Sequence, residues 1–404
     1  MIWSYNAKRI LLYLPVILLF FFFAGFYENV NASTLKEAGR FIKEKDAILI
    51  TDSKGNIIFS KNADQKLVPA STLKIFTSLV SLYYLGEDYR FTTKFYLDKH
   101  LNLRIKGYGD PMLTSEEVAR LSRTLSDNLP RFNDIIADGS YFAQSLAIPG
   151  VGSSLNPYDA SNCALSVNFN TVAFRKDKNT YVSDESQTPL LPFVTDSVRK
   201  SGLTRGRIRL SNYNNQCTLY AGHLFRYFLQ KNMVKTDGIV RTGRAGPGNR
   251  LIYKYNSSFS LTHILSDMLK YSNNFIANQL ILATGAKVYG APATLKKGVR
   301  AALAYSRDVL NINDFNFVEG SGISRKNLIS AKTMMIILKK FEPYYQLMKK
   351  SDNIFFKTGT LNGIKTRAGY IKSDMRGMYR FVVFINTLET PIQSVMEHVV
   401  ELTY

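Results

Sequence analysis

Histidine and cysteine are scarce in this chain, with four of the first and two of the second in 404 residues. His100, His223, His263 and His398 are scattered, and neither an HExxH nor a His-x-His spacing occurs. No catalytic metal is therefore expected, nor any other cofactor. Two cysteines cannot staple a small disulfide scaffold, and the sequence leaves open whether Cys163 and Cys217 pair. Acidic side chains are also few: 31 Asp and Glu stand against 52 Lys and Arg, a net charge of +21. Such a balance attracts an anionic polymer, whether nucleic acid, cell-wall glycan or lipid headgroups. Internal repeats and low-complexity tracts are missing, and 46% of the residues are hydrophobic. That excludes a disordered polyampholyte or a collagen-like chain and predicts two or three packed domains.

The first thirty residues narrow the choice of partner. Lys8 and Arg9 precede an apolar run from Ile10 to Phe26, and Val30-Asn31-Ala32 follows with small residues at a cleavage spacing. Residues 1–32 read as a secretory signal peptide. An uncleaved anchor is the alternative, because the run is barely long enough to span a bilayer. Pro15 and the Val-x-Ala ending favour cleavage. Either way the expected location is outside the cytoplasm, periplasmic or extracellular at the cell wall. Nucleic acid drops out as a partner, leaving peptidoglycan and a possible membrane-surface association.

Ala47–Thr51 and Ile57–Phe59 flank a polar turn and predict a β-hairpin. Apolar spacing at Leu73, Phe76, Leu79 and Val80 predicts a buried helix from Ser71 to Leu85, ended by Gly86. From about Tyr89 to Gln216 the texture is one of short strands and polar loops. Helical patterning returns at Leu219–Lys231, at Leu261–Leu282 with a break at Tyr271-Ser272-Asn273-Asn274, at Ala293–Val309 and at Ala331–Lys339. Ile364–Ile371 and Tyr379–Thr387 read as adjacent strands before a last helix from about Ile392. The expected architecture is one α/β domain built from residues 33–90 and 217–404, with a β-rich domain inserted at 91–216.

No G-x-S-x-G occurs, so a nucleophile elbow with a Ser-His-Asp triad has no support. The other common serine device is Ser-x-x-Lys on a helix, where residues three apart share a face and the amine can take the hydroxyl proton. It occurs as Ser33…Lys36, Ser71…Lys74 and Ser197…Lys200. Ser33 would lie at a frayed new terminus, and Ser197 lies in the polar insert. Ser71 opens a buried helix just after a hairpin, so Ser71 is the candidate nucleophile and Lys74 its base. Beyond the leader, Ser-x-Asn occurs at Ser126, Ser154, Ser166, Ser272 and Ser351. Only Ser272-Asn273-Asn274 breaks a long helical pattern, a place from which Ser272 and Asn274 could face a cleft. Lys-Ser/Thr-Gly occurs at Lys200-Ser201-Gly202 and at Lys357-Thr358-Gly359, the second followed by Thr360 on a predicted edge strand. There Gly359 admits a substrate backbone and Lys357 supplies charge for a carboxylate.

The order Ser71-x-x-Lys74, Ser272-x-Asn274, Lys357-Thr358-Gly359 resembles the penicillin-binding proteins and serine β-lactamases. Longer segments are similar to one branch, the low-molecular-mass class C D-alanyl-D-alanine carboxypeptidases/endopeptidases. They are Val68–Lys74, Ile105–Pro111, Asn156–Ala160 with Leu165–Asn170, Tyr271–Ala277, Glu319–Arg325 and Phe356–Leu361. The resemblance implies a transpeptidase-like α/β domain, an antiparallel sheet flanked by helices, interrupted after the nucleophile helix. The stretch from Ser71 to Ser272 is short for that branch, which implies a reduced or missing inserted domain. Glu319 stands where the branch usually has Asp. By position, the resemblance implies that Ser71 attacks a D-Ala carbonyl, that Lys74 is the acylation base and that Ser272 relays a proton to the leaving amine. Asn274 would hold the substrate amide, and Lys357 and Thr358 the terminal carboxylate. The N–H groups of Ser71 and Thr360 would form the oxyanion hole. The implied activity is hydrolysis of D-Ala-D-Ala in peptidoglycan stem peptides and of D-Ala-diamino acid cross-links, with β-lactams as covalent inhibitors. Two alternatives stand beside it. A β-lactamase would need a glutamate-held water, for which Glu342-Pro343 is the candidate, although it reads as a surface helix start. A catalytically silent wall-binding scaffold would be signalled by loss of Ser71, Lys74 or Lys357, all of which are present.

Overall fold

The computed structural model describes residues 37, 39–211, 215–388 and 390–401. The leader read at 1–32 and the Ser33…Lys36 pair lie outside the described residues. No helix among the described residues is long and apolar enough to cross a membrane.

The chain begins with β1 (Asp46–Thr51), β2 (Ile57–Lys61), a 3-10 turn at Ala70–Leu73 and the helix Lys74–Leu85. Next come β3 (Thr92–Leu97), β4 (Leu103–Gly107), the helix Ser115–Ser126 and β5 (Ile135–Asp138). They are followed by β6 (Thr171–Asp177), β7 (Thr180–Ser183), the helix Pro192–Lys200, β8 (Arg205–Arg209) and the helix Gln216–Lys231. β9 (Val240–Thr242) and β10 (Arg250–Asn256) lead into the helices Leu261–Tyr271, Asn274–Tyr289, Leu295–Asp308 and Ala331–Phe341. β11 (Lys349–Ser351), β12 (Ile354–Leu361), β13 (Ile364–Ser373), β14 (Gly377–Ile385) and the helix Ile392–Glu401 close it.

Both ends of the chain share one six-stranded sheet, in the order β11-β12-β13-β14-β1-β2 with every pair antiparallel. Its central strands are buried on both faces, and the two-residue period shows why. Ala47, Leu49, Val382 and Phe384 face the core formed with the helices Lys74–Leu85, Leu261–Tyr271 and Asn274–Tyr289. Ile48, Ile50, Phe381 and Val383 face the opposite side, against Val395, Met396 and Val399 of the last helix.

Between the helix Lys74–Leu85 and the helix Leu261–Tyr271 lies a second unit with its own core. A five-stranded sheet, β10-β3-β4-β5-β9, and a three-stranded sheet, β7-β6-β8, share it. The structure departs here from the expectation of an insert ending at 216. Tyr220, Leu224, Phe225 and Leu229 of the helix Gln216–Lys231 pack into this second core, and β10 pairs along β3, so the unit runs to Asn256. The unit is also less purely β than expected. The helix Ser115–Ser126 buries Val118, Leu121 and Leu125, and Pro192–Lys200 buries Val194 and Val198.

Cys163 and Cys217 form a disulfide, with 6.7 Å between their Cα atoms. It ties the loop before β6 to the helix Gln216–Lys231. The same loop is held to the other unit by a buried polar chain. Asn162 Nδ2 donates to Phe275 O and to Gln279 Oε1 at 2.9 Å each, and Gln279 Nε2 donates to Cys163 O at 2.9 Å. Buried amides whose donors are matched in this way fix a relative orientation as well as adding stability.

Candidate active site

Three segments of the main α/β unit meet at Ser71. Ala70 precedes it with φ +47°, an uncommon conformation for a residue with a Cβ, and Ser71 lies in the short 3-10 turn that feeds the helix Lys74–Leu85. The turn is clamped from two sides. Thr366 Oγ1 on β13 donates to Pro69 O at 2.7 Å. Gly322, at φ +80°, brings its backbone so close that a Cβ there would stand 1.9 Å from Ala70 O. Only glycine tolerates both that angle and that approach.

Lys74 starts the helix with no exposed surface. Its Nζ lies 2.9 Å from Ser71 Oγ, 2.8 Å from Asn274 Oδ1 and 2.7 Å from Ser321 O. Burial, aided by the positive Lys357 and opposed by Glu319, holds this amine well below the ordinary lysine range. A neutral amine has two N–H donors and one lone pair. The acceptors at Asn274 and Ser321 take the two donors, so the lone pair is left for the Ser71 hydroxyl. In that state the Lys74 amine is placed to accept a proton from the Ser71 hydroxyl.

Ser272 ends the helix Leu261–Tyr271 in the left-handed conformation, φ +56°. Asn273 then caps the next helix, its side chain accepting from Ile276 N at 3.0 Å. That division of labour explains the three letters: one residue reverses the chain, one caps, and Asn274 is left to face the site. Asn274 Nδ2 reaches Tyr158 O of the inserted unit at 3.2 Å. Lys357 Nζ donates to Ser272 Oγ at 2.8 Å and to Thr358 O at 2.7 Å. It is 2% exposed, and burial together with Lys349 pulls its pKa down to about 7.

Lys357, Thr358, Gly359 and Thr360 all lie on β12. β11 pairs only with Ile354–Phe356, so the outer edge of β12 from Lys357 onward has no strand neighbour among the described residues. Lys357 and Gly359 are buried, whereas Thr358 and Thr360 are exposed. A Cβ on Gly359 would stand 2.7 Å from Ser71 N and 2.3 Å from Thr366 Oγ1. Gly359→Ala is therefore expected to push β12 off the Ser71 turn, costing about 1–3 kcal/mol of stability. Acylation of Ser71 by a β-lactam should fall about tenfold or more. A thermal melt and an acylation time course on the same variant check both.

The rival motifs serve local structure. Ser126 Oγ donates to Arg123 O and Ser201 Oγ to Val198 O, each within its own helix end. Ser154 Oγ bonds Asp159, Ser197 Oγ accepts from Gln216 Nε2 at 3.1 Å, and Ser351 sits on the exposed β11. Ser166 is buried, with no partner for its hydroxyl among the described residues. Glu342 accepts from Arg380 Nε at 2.7 Å and touches none of the site residues.

Two contributors lie in the segment Glu319–Arg325, outside the three motifs. Ser321 acts through its main-chain carbonyl, which no side-chain pattern marks. Glu319, fully buried, accepts from the N–H groups of Ser321, Gly322 and Ser324, from Ser321 Oγ, and from the amides of Asn278 and Asn327. It thereby holds the turn that presents Ser321 O to Lys74.

A mixed α/β unit with a serine in the turn that opens a helix and a lysine at the start of that helix, facing an antiparallel strand, defines the transpeptidase/β-lactamase-like fold class. Residues 28–202 and 194–352 match the D-Ala-D-Ala carboxypeptidase 3 (S13) family, and the chain belongs to it. It is 24% identical to D-alanyl-D-alanine carboxypeptidase DacB of Haemophilus influenzae, over 90% of either chain. The crystal structure of penicillin binding protein 4 from that organism superposes with a TM-score of 0.73 at 20% identity, covering 91% of this chain and 98% of that one. The same protein is also known in complex with a β-lactam. A predatory endopeptidase from Bdellovibrio bacteriovorus superposes with a TM-score of 0.53 at 16% identity, over 88% of this chain and 92% of that one.

Proposed function

We propose that this protein is a serine D,D-peptidase that hydrolyses D-Ala-D-Ala, and D-Ala-diamino acid cross-links, in peptidoglycan stem peptides outside the cytoplasm. The observation that carries the reading is the buried Lys74 amine, 2.9 Å from Ser71 Oγ and held by Asn274 Oδ1 and Ser321 O.

Lys74 takes the Ser71 proton as Oγ attacks the carbonyl of the penultimate D-alanine. The N–H groups of Ser71 and Thr360 receive the developing oxyanion. Ser272, bonded to Lys357, relays the proton that Lys74 took from Ser71 on to the departing amine, so that Lys74 is again neutral; the C–N bond breaks and an ester on Ser71 remains. Asn274 and the free edge of β12 hold the acyl strand. Lys357 and Thr358 hold the terminal carboxylate, and Gly359 lets the substrate backbone lie close. Water then cleaves the ester and restores Ser71. Family membership and the Haemophilus carboxypeptidase support the peptidase reading, and the β-lactam complex of the Haemophilus protein supports β-lactam binding here. A protein acting on the wall must be exported, in keeping with a signal at residues 1–32.

Mass mapping after incubation with a labelled penicillin tests the proposal. The expected adduct lies on the peptide containing Ser71 and is absent in Ser71→Ala. Intact penicillin with no adduct would remove the enzyme reading in favour of a wall-binding scaffold. Consumed penicillin with no adduct would point to a β-lactamase.

A further inference from the structure

The chain passes from the main unit into the inserted one through residues 89–91 and returns through residues 257–261. The two crossings run side by side: Ser257 N donates to Phe91 O at 2.7 Å and Leu261 N to Tyr89 O at 2.9 Å. Arg90 Nη1 adds a bond to Ser257 O at 2.8 Å. A third segment lies in the same seam, where Met112 packs into the main core and Leu113 into the inserted one. Asp110 opens that segment.

Asp110 is 3% exposed and Ser257 1%. One carboxylate oxygen, Oδ1, accepts from Met112 N at 2.9 Å. The other, Oδ2, has no hydrogen-bond partner among the described residues, and neither has Ser257 Oγ, although Ser257 is near enough to favour the charged form of the carboxylate. A buried acceptor left idle is costly, and a buried charge more so. Burial accordingly pushes the Asp110 pKa up to about 6, with the Met112 N–H and Ser257 opposing and Glu117 adding to the rise. The groups that face it come from each element packed on the seam: Tyr89 from the first crossing, Glu117 from the helix Ser115–Ser126, Tyr255 from β10 and Ser257 from the return. Burial moves both tyrosines upward, Tyr89 to about 12. Against its partial burial, Glu117 is held below the ordinary value by Arg120, Tyr255 and Ser258. Of these groups, Asp110 is therefore the one that changes charge near neutral pH.

We propose that Asp110 is a proton-operated latch between the two units: with a proton from solvent its carboxyl turns an O–H to Ser257 Oγ and closes the seam, and without it the unpaired charge draws water in and frees the inserted unit to move. The latch does not depend on the reaction proposed above. Its reach extends to the site, because Tyr158 O of the inserted unit receives Asn274 Nδ2 at 3.2 Å and shifts with that unit. The sign follows from the raised pKa. The seam is at full strength below the ordinary carboxyl value of 3.8 and loses it as pH rises through about 6.

Hydrogen exchange read by mass on the purified protein tests the latch, with rates corrected for the intrinsic pH dependence of exchange. Peptides over residues 257–261 report the seam, and peptides over residues 382–384 of β14 report the core of the main sheet. In the parent, seam protection is expected to fall about tenfold or more between pH 5 and pH 8, with a midpoint near 6, while the β14 peptides stay unmoved. Asp110→Asn, of the same size and never charged, should keep the seam protected at pH 8. Glu117→Gln removes the carboxylate that adds to the Asp110 pKa, so it should keep the transition and move its midpoint to lower pH. A parent seam that does not respond to pH overturns the proposal, as does a midpoint below about 5 or above about 7. The same fall in Asp110→Asn, or a transition abolished by Glu117→Gln, would assign the proton to another group and overturn it as well. Should Asp110→Asn fail to fold, the parent midpoint and the Glu117→Gln shift still decide.

Discussion

Lys74→Met is expected to lower penicillin acylation of Ser71 by about 10²–10⁴-fold, the usual contribution of a positioned general base. Methionine is close to lysine in length and carries no charge. The buried site already disfavours the charged amine, so the substitution introduces no new unpaired charge. It does strand two acceptors, Asn274 Oδ1 and Ser321 O, at a cost of about 1–3 kcal/mol for each group left unsatisfied. The variant should therefore melt lower but remain folded, and a rate loss confined to a folded protein is what circular dichroism and acylation kinetics should show together.

The parent enzyme's pH profile carries the same argument. Lys74 must be neutral to accept the Ser71 proton, so kcat/KM rises with pH through the lowered pKa of that amine. Lys357 must be charged to hold a carboxylate. With a pKa near 7, it loses that charge as pH rises through 7. A bound anion shifts this loss upward, so the alkaline fall should occur at higher pH in kcat than in kcat/KM. Lys74→Met should retain the alkaline limb and lose the acid one. An unchanged acid limb would mean that another group takes the proton.

That these three motifs converge was readable because each chosen motif coincides with a structural event that composition also marks: the start of a buried helix, a break between two helices and an edge strand. The rival copies share the letters and lack the event. The border of the inserted unit was harder to read. The apolar face of the helix Gln216–Lys231 predicts burial but not against which sheet, and only the pairing of β10 with β3, far apart in sequence, assigns it. The helix Ser115–Ser126 was readable and missed: Thr114, then Glu116 and Glu117, then Val118, Leu121 and Leu125 form a helix start and a stripe. The Ser321 carbonyl lay beyond sequence reasoning, because every residue has one and only the folded turn aims it.

Glu319 is where position and charge can be separated, and Glu319→Gln is expected to affect both. The carboxylate accepts from six donors with no exposed surface. A glutamine places an NH₂ against part of that ring, leaving donors facing donors. The loss should be about 3 kcal/mol or more, visible as a fall of several degrees in Tm. The turn that carries Ser321 O should loosen and acylation should slow. The electrostatic effect has the opposite flavour. Glu319 raises the Lys74 pKa against the burial that lowers it, so removing its negative charge makes the amine easier to deprotonate. The acid limb of the acylation profile should then move to lower pH even as the plateau rate drops. A lower Tm with an unmoved acid limb would assign Glu319 to the turn alone. An acid limb displaced to higher pH would contradict the electrostatic account and require that the loosened turn expose Lys74 to water, since hydration is the remaining influence that restores a buried amine toward its ordinary range.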